Sequence, residues 1–431
     1  MNCYRHLRTL TTVLLLVVLL AAACAPKATP TPVPTPKPAQ KPTAAPPPTE
    51  APPKVLRFGA AIEMTGSRAV EGKVQKDGMD FWAEWVNSHG GLTIGGQKYT
   101  VEIKYYDDES DPQTAAKLTE KLITEDNTKF LIGPFSSAMT IATCAIGEKY
   151  QAITVAPLAN APSIYSKGYR YVFSVLPPAT NYLKLLIQML GTAVTPKPLT
   201  VALLAPDEPF GIAAADGSKK WAEEQGMQVV LYEKFPFDTK DLSSLLTKVK
   251  GLNPDVVLGH GQFAAAQMIT RQAKELGLCP KVLGFTVGPT FPDFIKSLGA
   301  DAEYVYGSEW WLPQMGWKCP VFGTSQKYAE LFKAKYGYDP DYHAAAGTAA
   351  GMLYQFALEK AGTTDSEKVR DALSSLDLEF FWGPTAFSAT GENIKGSSGP
   401  IQIQDGKHVG VWPLSFQQAP PRYPMPCWDK R

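Results

Sequence analysis

The sequence predicts an α/β protein built as two doubly wound parallel-sheet lobes that follow one another along the chain. Short apolar runs alternate with amphipathic segments of helical length, the β-α-β-α order of a parallel sheet covered on both faces. The alternation runs over residues 55–156, pauses, and restarts over 199–285 in a unit of similar size. The loops after the strands are rich in Gly, Pro, Ser and Asn, which turn a chain sharply and leave backbone donors at one sheet edge.

Residues 1–24 are a targeting segment and not part of the fold. Arg5, His6 and Arg8 precede an apolar run over 10–20 that is short for a permanent membrane helix, and Ala21-Ala22-Ala23 leads into Cys24. Leu20-Ala21-Ala22-Ala23-Cys24 resembles a bacterial lipoprotein signal, although Ala21 stands where a larger aliphatic residue is usual. That resemblance implies lipidation of Cys24 and an extracytoplasmic protein anchored to the cell membrane. Residues 25–54 are almost entirely Pro, Thr, Ala and Lys. Such a segment is a polyproline II spacer, and at ~3.1 Å per residue it could hold a domain roughly 90 Å from the membrane.

The folded part opens with a strand at 55–61 and a polar loop at 63–72 that carries Glu71. A helix follows with Met79, Phe81, Trp82, Trp85 and Val86 on its apolar side, closed by Gly90-Gly91. Residues 99–106 alternate as the second strand. The acidic run from Asp107 to Asp111 has the start of a calcium loop, but Pro112 stands where glycine is needed and no glutamate closes the loop. Asp111 is therefore expected to cap a helix over 113–125, with Pro112 in its first turn.

Residues 127–162 organise the chain. A strand at 130–132 enters the turn Gly133-Pro134-Phe135, and Ser136 and Ser137 stand where a helix running to about 149 begins. A serine hydroxyl there caps the first turn while neighbouring N–H groups stay open to an anion. The next strand, 152–156, ends in a loop carrying Leu158, Ala159 and Asn160. Both loops reach the carboxyl edge of one sheet, where ligands bind in open α/β folds.

After a crossover at 171–178 the second unit has strands at 199–204, 228–232, 256–259 and 281–285, and helices at 212–224, 242–250 and 264–276. A strand at 304–308, an aromatic loop at 309–313, helices at 325–336, 344–360 and 366–376, and a strand pair at 401–404 and 409–413 complete the fold. The last residues are proline-rich and irregular.

A net charge of +1 leaves no basic excess to neutralise phosphates, which argues against nucleic acid as a partner. Six cysteines include no C-x-x-C pair, so no metal site or other cofactor is expected. One disulfide, Cys319 with Cys427, is expected because both lie in Pro/Trp-rich loops. An exported enzyme is the rival class, yet G-x-S-x-G and H-E-x-x-H are absent and the histidines lack partners at ligand spacing.

From about residue 56 to 413 the chain resembles the branched-chain amino acid binding proteins, the type I substrate-binding components of bacterial ABC importers. The pieces that carry the resemblance are MTGSRAVEG, NSHGGLTIGGQKYTVEI, YYDDESDPQTAAKLTEKLI, GPFSS, PDEPFG, LNPDVVLGHG, RQAKELGL, AKYGYDPDYHAAAG and VRDALSSL, in order and at family spacing. The resemblance implies a monomer of two lobes joined by a three-strand hinge, 55–176 with 309–384 and 177–308 with 385–417, followed by an irregular tail at 418–431. A small carboxylate-bearing ligand would lie between the lobes for delivery to a membrane permease and its ATPases; a sensor of the same fold is the alternative. The ligand carboxylate would meet Ser137, with Ser136 beside it, the backbone of Leu158, and Asn160 in place of the usual threonine. On the second lobe, Thr286 stands where the family has a carboxylate and Gln262 where it has a tyrosine. Either Glu71 meets an ammonium instead, or the ligand lacks one. Tyr182, Phe210 and Trp310 would supply apolar walls. A hydrophobic amino acid is the favoured ligand, with amides and amine-free carboxylates as the alternative.

Overall fold

The computed structural model describes residues 52–431. The targeting segment, Cys24 and nearly all of the spacer lie outside the described residues.

Two mixed sheets organise the chain. In the first, the strand order is Leu92–Ile94, Gln97–Asp107, Lys54–Ile62, Phe130–Ile132, Ile153–Ala156, Val172–Ser174. All its pairings are parallel except the hairpin that joins its first two strands through Gly95-Gly96. Both turn glycines have positive φ, 56° and 82°, as a two-residue hairpin turn requires. In the second sheet the order is Lys407–Gly410, Gly399–Gln404, Tyr306–Glu309, Val282–Phe285, Val256–Gly259, Thr200–Pro206, Gln228–Phe235. Its last five strands are parallel, and the first two run antiparallel at one edge.

The helices Ser325–Tyr336, Tyr342–Ala361 and Ser366–Ser374 return to the first sheet. Tyr342–Ala361 is buried along most of its length against the helix Ala69–Ser88, and small residues let the two backbones touch. A Cβ on Gly78 would lie 1.9 Å from the Ala344 carbonyl oxygen, and one on Gly351 2.1 Å from the Trp82 ring.

The chain passes between the sheets three times, after Ser174, after Glu309 and before Gly399. Hydrogen bonds stitch these passages together. Ser174 N donates to Gly391 O (3.0 Å), Asn393 Nδ2 to Val175 O (2.7 Å), and the hydroxyls of Ser308 and Ser398 both donate to Tyr182 O (2.6 and 2.8 Å).

The disulfide differs from the expected pairing. Cys427 joins Cys279, with Cα atoms 5.2 Å apart, while Cys319 is a buried free thiol. The reason is the path of the tail, which runs along the second sheet: Met425 N donates to Lys281 O (2.9 Å) and Trp428 Nε1 to Leu278 O (2.8 Å). Cys319 instead sits in the aromatic core that includes Phe81, Phe322 and Tyr328.

Candidate binding cleft

The strand Phe130–Ile132 turns at Gly133 into the helix Ser137–Tyr150, and Ser136 is its N-cap, its Oγ accepting from Met139 N at 3.3 Å. The turn is less open than the sequence suggests. Glu63, one residue past the strand Lys54–Ile62 and fully buried, accepts from the N–H groups of Phe135 (2.9 Å) and Ser136 (3.0 Å). A resident carboxylate thus fills half of the expected anion site, leaving the first-turn N–H groups of Ser137 and Ala138. Sequence reasoning missed Glu63, although its position at the carboxyl end of the first strand places it on the same sheet edge as the two serines.

Ser137 Oγ accepts from Ala161 N at 3.1 Å, which leaves its own proton free to donate. Asn160 Nδ2 donates one hydrogen to Pro177 O at 2.7 Å, tying the loop to the first passage between the sheets, while its Oδ1 has no partner among the described residues. Ala159 is buried and accepts from Tyr165 Oη through its carbonyl (2.9 Å).

Between the lobes lies a cavity of about 10 Å³ lined by Phe135, Ser136, Ser137, Leu158, Tyr182, Phe210, Gln262 and Val287. Trp310 packs edge-on against Tyr182, as does Phe210, each with ring centres 5.1 Å away, and Tyr182 Oη bonds Tyr342 Oη at 2.8 Å. Thr286 does not reach this cavity. It sits one residue past the strand Val282–Phe285, turns inward and donates to Gly261 O (3.0 Å), while the next residue, Val287, faces the cavity.

Charged side chains surround the cavity but are already partnered. Glu71, in the first turn of Ala69–Ser88, reaches across to the other lobe, where its Oε1 accepts from Phe263 N at 3.0 Å at the start of the helix Phe263–Glu275. It therefore caps a helix instead of standing free for an ammonium. Burial raises its pKa, and the two backbone N–H bonds, His343 and Arg68 pull it back. Arg68 and Glu208 form a second bridge between lobes, 3.1 Å long with each side chain 5% exposed. The guanidinium lies 3.9 Å over the Phe237 ring, and Gln262 Nε2 approaches Glu208 Oε1 at 3.4 Å. Burial raises the Glu208 pKa while Arg68 lowers it. Phe291 of the second lobe stacks on His343 of the first, with ring centres 4.3 Å apart.

Asp108 is fully buried; Oδ1 accepts from Ser110 N (2.9 Å) and Oδ2 has no partner among the described residues. Burial, and next the charge of Glu63, push its pKa up to about 8. His260 and Ser218 approach within 2.8 Å, but both are buried and His260 Nδ1 faces a backbone carbonyl, Leu204 O, at 3.1 Å. Burial pushes this imidazole down to about 4, so it is a neutral packing residue. No cluster of three or more metal-ligating side chains occurs among the described residues. The cleft can grip a small molecule through a hydroxyl, an amide and aromatic faces.

A model of the periplasmic binding protein family matches residues 55–407. The chain is 26% identical over 377 residues to Leu/Ile/Val-binding protein homolog 7 of Brucella suis, a match spanning 83% of this chain and 91% of that protein. Among solved structures it aligns with a branched-chain amino acid transporter substrate binding protein of Streptococcus pneumoniae in complex with isoleucine, at 22% identity and a TM-score of 0.73, over 82% of this chain and 98% of that one. A solute binding protein of an R. palustris ABC transporter, in complex with benzoate, aligns at 20% identity and a TM-score of 0.71 over 85% and 98%. The family match runs through both sheets and all three passages between them, so the chain belongs to the periplasmic binding protein family, whose members bind solutes and are not enzymes.

Proposed function

We propose that this chain is the capture subunit of an ABC importer, acting as a monomer outside the cytoplasm, and that its ligand is a small carboxylate with an apolar body and no ammonium group. The observation that carries the ligand reading is the neutral cavity wall, with Glu71 bonded to Phe263 N and Glu208 paired with Arg68. A buried ammonium without an anion is costly. The Ser137 hydroxyl and the first-turn N–H groups of Ser137 and Ala138 favour an anion. The benzoate complex of the R. palustris protein supports the same chemistry. A cavity of about 10 Å³ has the room of one water, so the lobes must part to admit a ligand and close around it.

An amino acid is the second reading, favoured by Glu71, whose bond to Phe263 N could yield to an ammonium. Calorimetry with leucine, phenylalanine, 4-methylpentanoate and 3-phenylpropanoate separates the two. The amine-free acids should bind more tightly, Ser137→Ala should weaken them by about 1–3 kcal/mol, and Glu71→Gln should leave them unchanged. Tighter binding of the amino acids, lost in Glu71→Gln, would reverse the assignment.

The Leu-Ala-Ala-Ala-Cys run supports a lipid anchor at Cys24, which would keep the captured ligand beside the permease and its ATPases. Replacing Cys24 with alanine should move the protein from the membrane fraction to the soluble one. Retention at the membrane would rule the anchor out.

A further inference from the structure

A second cavity, of about 520 Å³, lies at the passages between the lobes, in the size range of small-molecule sites. Trp310, Trp317, Trp382 and Phe416 form its apolar walls, with Pro177 and Pro384 beside them. All three passages contribute, through Pro177, Trp310 and residues 395–399. Trp310 packs on Tyr182 and thereby separates this cavity from the cleft.

The polar groups gather on one side. Lys395 lines the cavity, and its Nζ pairs with Asp377. The backbone N–H groups of Gly396 and Ser397 donate to no group among the described residues. Leu414, between the lining residues Pro413 and Ser415 in sequence, is 86% exposed, and Ile394, next to Lys395, is 63% exposed.

We propose that this cavity is a second ligand site, distinct from the cleft, for a planar aromatic anion. Its ring would lie against the tryptophan and Phe416 faces, and its anionic group would meet Lys395 Nζ and the Gly396 and Ser397 N–H groups. Flat rings suit these walls because aromatic faces gain from offset or edge contact beyond area burial. An anion suits the donor side, which offers two open amides and a lysine that would exchange Asp377 for the ligand.

The probe is 2-naphthalenesulfonate, too large for the cavity in the closed cleft, added to the mature protein and followed by tryptophan quenching and calorimetry. Saturable binding with one probe per chain is expected. Ser137→Ala should leave it unchanged, Trp317→Ala should weaken it about tenfold, and Lys395→Gln about threefold. Uncharged naphthalene should bind Lys395→Gln and the wild type alike. Trp317 is partly exposed, and thermal melts show whether its variant folds; Lys395→Gln on the surface provides an independent readout. Absence of saturable binding, loss of binding in Ser137→Ala, or equal binding by the wild type and both site variants would overturn the proposal.

Discussion

At the scale of single residues, the carboxylates at the first sheet's edge behave differently although they look alike in sequence. Glu63 is held by two backbone donors, whereas Asp108 has one donor and one orphaned oxygen beside it. The proton is therefore expected on Asp108 in the folded protein. Its folded pKa of about 8 lies above the ordinary 3.8, so the folded state binds the proton more tightly than the unfolded chain does. The resulting stability is fully present below about pH 4 and drains away as pH rises to about 8. Asp108→Asn keeps the acceptor for Ser110 N and cannot ionise. It should flatten this part of the pH profile and melt higher than the wild type above pH 8, at roughly 2–4 °C for each kcal/mol recovered. Matching melting profiles from pH 4 to 9 would show that Asp108 does not hold a proton.

At the scale of elements, most of the fold was legible in the chain. The strands at 130–132 and 256–259 and the helix Ser325–Tyr336 have the expected bounds, and most others differ by up to three residues, but the first helix starts at Ala69, so residues 69–72 of the expected loop, Glu71 among them, are helical. Asp111 caps the helix Pro112–Thr124 as expected, its side chain accepting from Thr114 N at 2.7 Å. The misses were short. The helices Lys184–Thr192 and Pro292–Leu298 span too few turns for periodicity to stand out, and the hairpin Asp377–Phe380 with Gly383–Ala386 lacks clear alternation. The hairpin at Gly95-Gly96 did carry a turn signal, since two adjacent glycines between alternating residues permit a primed turn.

At the scale of the molecule, the two lobes are held in register by polar contacts that cross the cleft. Among these Arg68–Glu208 is a buried ion pair, each side chain 5% exposed. Removing one partner of such a pair strands a buried charge and costs about 3–5 kcal/mol, far more than the intact pair contributes. Arg68→Met should therefore disfavour the closed arrangement. The expected result is a larger radius of gyration by small-angle scattering, reversed when Glu208→Gln is added to remove the stranded charge. If the single variant keeps the wild-type radius, the pair does not hold the lobes together.

The sequence by itself determined the two α/β units, the edge at which their loops converge, and the helix start at Ser136 and Ser137. These depend on periodicity, turn chemistry and capping, all of which act over a few neighbouring residues. Only the tertiary structure decided which polar groups remain available. Glu71 is spent on Phe263, 192 residues away; Asn160 on Pro177; Glu63 on the very turn that was read as open; and Cys427 pairs with Cys279 and not Cys319. A side chain's residual capacity to bind is whatever its folded neighbours leave unsatisfied, and those neighbours come from distant parts of the chain that local pattern does not bring together.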